Sequence, residues 1–349
     1  MDFTGKSLLV TGASGFIGSF IVERALAEGA EVWAAVRPSS SRRYLRDERI
    51  HFIELDLNHA GRLREQLSRH RQLTGGGWHY VVHAAGATKC RRAADFFATN
   101  TQGTENLGKT LIELNMVPQK LVFISSLSVF GPAREQAVGH GAGQCYAEIC
   151  ETDTPCPDTA YGRSKLEAER RLAALLPQLP TVVLRPTGVY GPRERDYFMM
   201  AQSVARGVDF TVGYRPQEIT FIYVTDLVEA VMLALDHGQP GRAYFLTDGQ
   251  VYAISSFSEL LQKELGRRHV VRLKAPVWLL WGVCAIAGTG ARLLGRTTTL
   301  NLDKFHILKQ RNWKCDIGPA RRELGYTPRV MLPEGVRRAI TWYKREKWL

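Results

Sequence analysis

The sequence predicts an α/β fold, a doubly wound parallel sheet carrying a smaller C-terminal lobe. Three observations predict it. Short β-branched or apolar runs alternate with longer amphipathic segments through the first half of the chain. A glycine-rich turn joins the first of these runs to the first amphipathic segment. From about residue 190 the alternation gives way to segments richer in Pro, Trp and basic residues. Strand–helix alternation of this kind builds parallel sheets covered by helices on both faces.

Taken in order, Ser7–Val10, Glu31–Val36, Ile50–Leu55, Tyr80–Ala84, Lys120–Ser125 and Thr181–Arg185 read as strands. Phe16–Glu28, Asp95–Leu114 and Tyr161–Leu176 read as helices between them, and Ala243–Leu246 as a strand returning to the same sheet. Residues 1–189 with 219–249 are therefore expected to form a dinucleotide-binding domain. Residues 190–218 with 250–349 are expected to form a substrate lobe over the carboxyl edge of the sheet, where open α/β sheets hold ligands.

Composition narrows the partners. Hydrophobic residues make up 45% and charged residues 23%, an ordinary globular profile with no repeat or low-complexity stretch. The N-terminus runs directly into an apolar strand without a signal peptide, which points to a cytoplasmic, reducing setting. The 46 Lys and Arg against 34 Asp and Glu give +12, but the basic residues are scattered and no nucleic-acid module appears. Residues 275–294 are apolar enough to raise a membrane span, which Pro276, Gly282, Gly288, Thr289 and Gly290 weaken. A buried or substrate-covering helix is expected there, with weak peripheral membrane association left open. Cys145, Cys150 and Cys156 near His140 lack zinc-module spacing, so free thiols and no metal are expected.

Chemistry begins at Val10-Thr11-Gly12-Ala13-Ser14-Gly15-Phe16-Ile17-Gly18. Gly12 permits a tight turn, Gly15 lets backbone approach a pyrophosphate, and Gly18 lets helix pack closely on strand. Free N–H groups and the helix dipole favour an anion there, so Ser14, Phe16 and Ile17 join the three glycines as expected cofactor contacts. The second strand ends at Arg37 rather than at an acidic residue. A guanidinium pairs with phosphate, so Arg37 suits a ribose 2′-phosphate and NADP is expected, with NAD open. Asp56, after the third strand, either accepts from an adenine amino group or caps the following helix.

Tyr161 and Lys165 sit four apart at the start of a helix, hence on one face. An ammonium about 4 Å from a phenol is worth roughly 4 kcal/mol, on the order of a thousandfold in acidity before desolvation is subtracted. Tyr161 is thereby a candidate acid/base for hydride chemistry at an oxygen-bearing carbon. A hydroxyl from Ser125-Ser126-Leu127-Ser128, after the fifth strand, can hold the reacting oxygen.

With these motifs in hand, the chain resembles the extended short-chain dehydrogenase/reductases of the NAD-dependent epimerase/dehydratase superfamily. The resemblance rests on Thr11–Gly18, Asp56-Leu57, His83-Ala84-Ala85-Gly86, Asn100–Thr104, Phe123–Gly131, Tyr161–Lys165 and Arg185–Pro192. It continues through Trp313, Glu323–Tyr326 and Trp342-Tyr343. It implies a Rossmann fold, Ser126 as the substrate-orienting hydroxyl, Tyr161 as acid/base and Lys165 as the ribose- and tyrosine-binding lysine. Asp56, Leu57, Ala84, Ala85, Gly86 and Asn100 would line or support the cofactor cleft, and Pro186 with Val189 would lie by the nicotinamide.

Within the superfamily, Leu127-Ser128 stand where dehydratases carry an Asp-Glu pair, and Gly188 stands where many nucleotide-sugar epimerases carry Asn. Arg185-Pro186 and Val36-Arg37-Pro38 look more like the dihydroflavonol-reductase and 3β-hydroxysteroid-dehydrogenase branch. That branch implies a bulky, apolar carbonyl or secondary-alcohol substrate; a nucleotide-sugar epimerase with tightly held NAD and a non-enzymatic dinucleotide sensor are the alternatives. Lys89, Arg91, Arg193 and Arg195 could bind an acidic substrate or simply form a solvated rim. The resemblance also allows a homodimer.

Overall fold

The computed structural model describes residues 2–138, 145–293 and 302–349. Its centre is a seven-stranded sheet of β1 (Ser7–Thr11), β2 (Glu31–Val36), β3 (His51–Glu54), β4 (Tyr80–His83), β5 (Lys120–Ile124), β6 (Thr181–Pro186) and β7 (Ala243–Leu246). The spatial order is β7-β6-β5-β4-β1-β2-β3, every pair parallel. This is a Rossmann-type sheet, and its order reverses between β1 and β4, the crevice where such sheets bind ligands.

The central strands are apolar on both faces because both faces are covered, whereas the edge strand β3 carries exposed His51 and Glu54. In β1, Leu8 and Val10 enter one core and Leu9 the other. Helices Phe16–Ala27 and Val224–Asp236 close the first side through residues such as Ile21, Val22 and Leu227. Helices Ala60–Thr74, Gly103–Glu113 and Ala160–Leu175 close the second with Leu63, Leu67, Leu107, Leu111 and Leu172.

Two expectations need correction. The single helix expected over Asp95–Leu114 is broken: a short helix, Ala93–Phe96, runs into a π-helical turn, Phe97–Gln102, before Gly103–Glu113. The wide turn tilts one register inward and buries Asn100 completely. The region after residue 190 is also more regular than expected. Strand Val208–Val212 pairs in parallel with Val271–Ala275, and Gly188–Tyr190 pairs with Phe221–Tyr223.

Helix Val277–Leu293 occupies most of the apolar 275–294 segment. Of its described side chains, Leu280 and Cys284 pack against Val212 and Phe305, while much of the remainder faces solvent, so of the buried or substrate-covering helix expected there the fully buried form is not what folds. Among the described residues no helix is long and apolar enough to cross a membrane. Cys150 and Cys156 are free thiols. The Cys145 side chain, His140 and Arg296 lie outside the described residues.

Candidate active site

All seven strands run the same way, so the turns that follow them gather at one edge. The glycine turn follows β1, Arg37 follows β2, Ala84-Ala85-Gly86 follows β4, Ser126 follows β5, and Pro186 ends β6.

In the glycine turn, Gly12 has φ +68, and a β-carbon there would lie 2.7 Å from the Ala85 nitrogen. At Gly18 a β-carbon would lie 2.1 Å from the Gly12 carbonyl oxygen. Both positions therefore exclude any side chain. Gly15 caps helix Phe16–Ala27 without a side-chain bond, so the first turn keeps backbone donors for an anion. Ala84 N donates to the Thr11 carbonyl at 3.2 Å and Ala85 N to Thr11 Oγ1 at 3.3 Å, tying the β4 loop to the glycine turn.

The helix Ala160–Leu175 carries Tyr161 and Lys165. Thr159 Oγ1 accepts from Gly162 N at 2.9 Å. The Asp303 carboxylate accepts from Ala160 N at 3.1 Å and Tyr161 N at 3.3 Å. A carboxylate suits a helix N-terminus, so this end is held twice. A β-carbon at Gly162 would lie 2.4 Å from the Ser128 carbonyl oxygen. The missing side chain lets the helix pack directly on the Ser126–Ser128 turn, bringing Ser126 near Tyr161.

Burial pushes the Tyr161 phenol up from its ordinary value, and the nearby Ser126 hydroxyl only partly opposes it. The acidification expected from Lys165 is not found: desolvation dominates at the phenol, with the Phe96 ring 6.2 Å away. Lys165 is buried too, and loss of water brings its ammonium down to about 8 despite the opposing charge of Glu169. Its Nζ donates to the Ile124 carbonyl at 2.8 Å and lies 4.6 Å from the Phe123 ring centre.

Asn100 joins these parts. Its Oδ1 accepts from Ala87 N at 2.7 Å, and its Nδ2 donates to the Ala87 carbonyl at 3.0 Å and Ser164 Oγ at 2.9 Å. One amide therefore holds the β4 loop to the tyrosine helix. Behind it runs a chain that sequence reading missed. Thr11 Oγ1 lies 2.6 Å from His83 Nδ1, His83 Nε2 lies 2.8 Å from Thr104 Oγ1, and Thr104 donates to the Asn100 carbonyl at 2.6 Å. Burial drives the His83 imidazole down to about 3, so it stays neutral and able to donate on one side and accept on the other. Its only sequence signal was its place beside Ala84-Ala85-Gly86.

A nicotinamide dinucleotide fits these surroundings. A β-carbon at Gly86 would lie 3.1 Å from Lys165 Nζ and 3.3 Å from Asn100 Oδ1, so the bare glycine lets the β4 loop close over both groups. Arg37 is exposed and its backbone is folded into a turn with Ser40, through bonds of 3.0 and 2.9 Å. The helix after β3 begins at Ala60 with His59 as its N-cap, so Asp56 is not the cap; its carboxylate lies 2.9 Å from His59 Nδ1 and 3.2 Å from Arg62 Nη1. The Leu57 carbonyl accepts from Asn106 Nδ2 at 2.8 Å.

Val189 lies in the short strand Gly188–Tyr190, paired with Ile222. A β-carbon at Gly188 would lie 2.3 Å from the Tyr197 hydroxyl oxygen, so Tyr197 already fills the space of any side chain at 188. Of the four rim cations, Arg193 donates to Ser19 Oγ at 2.9 Å and Glu23 Oε1 at 2.6 Å and stacks over Phe20 and Tyr44. Lys89 is paired with Asp196, while Arg91 and Arg195 are exposed.

Comparison with known proteins follows this geometry. The family model described as the NAD dependent epimerase/dehydratase family matches residues 8–246. UDP-glucose 4-epimerase of Vibrio cholerae is 26% identical over 328 residues, covering 88% of this chain and 90% of the relative. The 4-hydroxy-2-methyl-3-oxo-4-farnesyl-3,4-dihydroquinoline-1-oxide ketoreductase of Stigmatella aurantiaca is 27% identical over 345 residues, covering 94% of this chain and 93% of the relative. Among solved structures, UDP-glucose 4-epimerase of Thermotoga maritima with UDP-glucose superposes with TM-score 0.75 at 22% identity, over 98% of this chain and 99% of that one. With a match that spans the sheet, the glycine turn and the tyrosine helix, the chain belongs to the NAD dependent epimerase/dehydratase family.

Proposed function

We propose that this enzyme is a carbonyl reductase or secondary-alcohol dehydrogenase that uses NADP and takes an apolar substrate. The carrying observation is a buried Tyr161 phenol, held protonated near Ser126, on the same helix as a buried Lys165 that lies against Gly86. When bound, the reduced dinucleotide supplies hydride to the substrate carbon. Ser126 holds the carbonyl oxygen next to Tyr161, and Tyr161 gives that oxygen its phenolic proton. A phenol raised by burial is in its protonated form at neutral pH, the form the reductive direction requires. Lys165, with its ammonium at about 8, is mostly charged at neutral pH and stabilises the phenolate left behind.

The glycine turn and first helical turn (Gly12, Ser14, Gly15, Phe16, Ile17, Gly18) are assigned to the pyrophosphate. Arg37 is assigned to the 2′-phosphate, Asp56 and Leu57 to the adenine side. Ala84, Ala85, Gly86, Asn100, Pro186 and Val189 are assigned to the nicotinamide half. Tyr197 under Gly188 supports reduction over nucleotide-sugar epimerisation, since no side chain at 188 can reach a diphosphate. Pairing of Arg193 and Lys89 within the protein leaves fewer cations for an acidic substrate. The ketoreductase of Stigmatella aurantiaca, named for a farnesylated ketone, is in keeping with this choice.

The test is turnover of NADPH against a panel of hydrophobic ketones, with mass spectrometry of ligand carried through purification. Stoichiometric NADPH oxidation supports the proposal. Tightly retained NAD with interconversion of a nucleotide sugar, and no net oxidation, overturns it. Tyr161→Phe should lower turnover by about a hundredfold or more while cofactor titration stays near wild type. Unchanged turnover would remove Tyr161 from its role.

A further inference from the structure

We propose that the outer face of helix Val277–Leu293 docks on an anionic lipid bilayer surface. Residues 277–287 of the helix are apolar all round, yet much of that described surface faces outward. Leu280 and Cys284 turn inward, whereas Trp278 is 73% exposed, Trp281 55% and Ile286 77%. An all-apolar helix is normally buried in protein or in lipid, and two tryptophans at a surface are a feature of membrane interfaces. The exposed residues continue into an open apolar hollow walled by Tyr214, Pro276, Val277, Trp278, Trp281 and Phe305. A contiguous apolar patch of this kind marks an interaction site.

Charge selects the partner. From Glu264 to Asp303 the chain has no intervening carboxylate, and it carries six Lys and Arg there. Lys274 is exposed immediately before the helix, and its carbonyl receives the Tyr214 hydroxyl at 3.5 Å, which places exposed Arg215 at the same rim. Exposed Arg267, Arg268 and Arg272 extend the positive border along the preceding loop and strand. Aromatic residues bordered by cations fit an interfacial helix on anionic lipid. The 17-residue helix lies on the surface and does not cross it.

The patch also adjoins the chemistry. Phe305 walls the hollow, and two residues earlier Asp303 caps the helix that carries Tyr161. A substrate dissolved in the bilayer would therefore enter beside the catalytic helix.

The experiment is co-sedimentation of the full chain with vesicles of phosphatidylcholine alone and with about one-third phosphatidylglycerol, without cofactor or substrate, so that its failure leaves the oxidoreductase reading intact. Binding to the anionic vesicles, weakened by salt, with tryptophan emission quenched by brominated lipid, is the expected result. Each cation near such a surface is worth about fivefold, so Arg215→Gln with Lys274→Gln should weaken anionic binding about thirtyfold. Trp278→Ser with Trp281→Ser should abolish the quenching while circular dichroism and NADPH titration stay unchanged. Equal or no binding to the two vesicle types overturns the proposal. So does conversion of a dimer to a monomer by the tryptophan pair in sedimentation velocity, which would make the face a contact between copies.

Discussion

Replacing Lys165 by methionine should stabilise the cofactor-free protein at neutral pH while removing its activity. The ammonium is held at about 8 against an ordinary 10.5 because burial strips its water. That difference amounts to about 3 kcal/mol against the folded state wherever the lysine is charged in both states. Methionine is close in length and carries no charge to desolvate. It forfeits the bond to the Ile124 carbonyl, worth about 1–2 kcal/mol, leaving a net gain of about 1–2 kcal/mol at pH 7. For a chain of this length that is roughly a 2 °C rise in Tm. The sign follows from linkage. Between pH 8 and 10.5 the unfolded chain binds more protons at this lysine than the folded one, so wild-type stability rises with pH across that window. The stability difference between variant and wild type should therefore fall by about 2–3 kcal/mol between pH 7 and pH 10 and reverse in sign. Urea unfolding of both proteins in parallel at the two pH values measures it. A variant equally destabilised at both would refute the premise that Lys165 is a desolvated charge.

Three further outcomes test the site. Arg37→Asp should weaken NADPH binding much more than NADH binding in fluorescence titrations; equal losses would cancel the 2′-phosphate assignment. Gly18→Ala places a β-carbon 2.1 Å from the Gly12 carbonyl oxygen. It should destabilise by about 3 kcal/mol or more, read as a lowered denaturant midpoint, along with loss of cofactor binding. Asn100→Ala removes bonds to both backbone groups of Ala87 and to Ser164 Oγ. A loss on the order of 3 kcal/mol in stability, with kcat falling more than NADPH affinity, is expected. A change confined to stability would make Asn100 purely structural.

Much of the architecture was legible because it is written in local patterns. Apolar strands of four to six residues, alternating with amphipathic helices, leave few topologies other than a parallel sheet covered on both faces. The glycines at 12 and 18 could be read as backbone requirements because a close approach tolerates no side chain, and the hypothetical β-carbons clash with backbone at both. The Tyr161–Lys165 spacing placed two groups on one helical face without any tertiary information.

What the tertiary structure alone decided depends on groups far apart in sequence and on removal of water. Asp303 caps a helix that begins more than a hundred residues earlier, a link no local window contains. The Thr11–His83–Thr104–Asn100 chain exists because two strands, a π-helical turn and a helix meet, and a π turn has no period that sequence reading could detect. Spacing put an ammonium beside the phenol and so predicted acidification, but burial of both groups reversed the balance for Tyr161. The apolar residues of 275–294 likewise predicted a helix, while only packing against Val212 and Phe305 determined which face it would bury and which it would leave to the outside. Residue types and their spacing determined which groups this protein has for chemistry. Desolvation and long-range contacts, which depend on the complete fold, determined how those groups are charged and held.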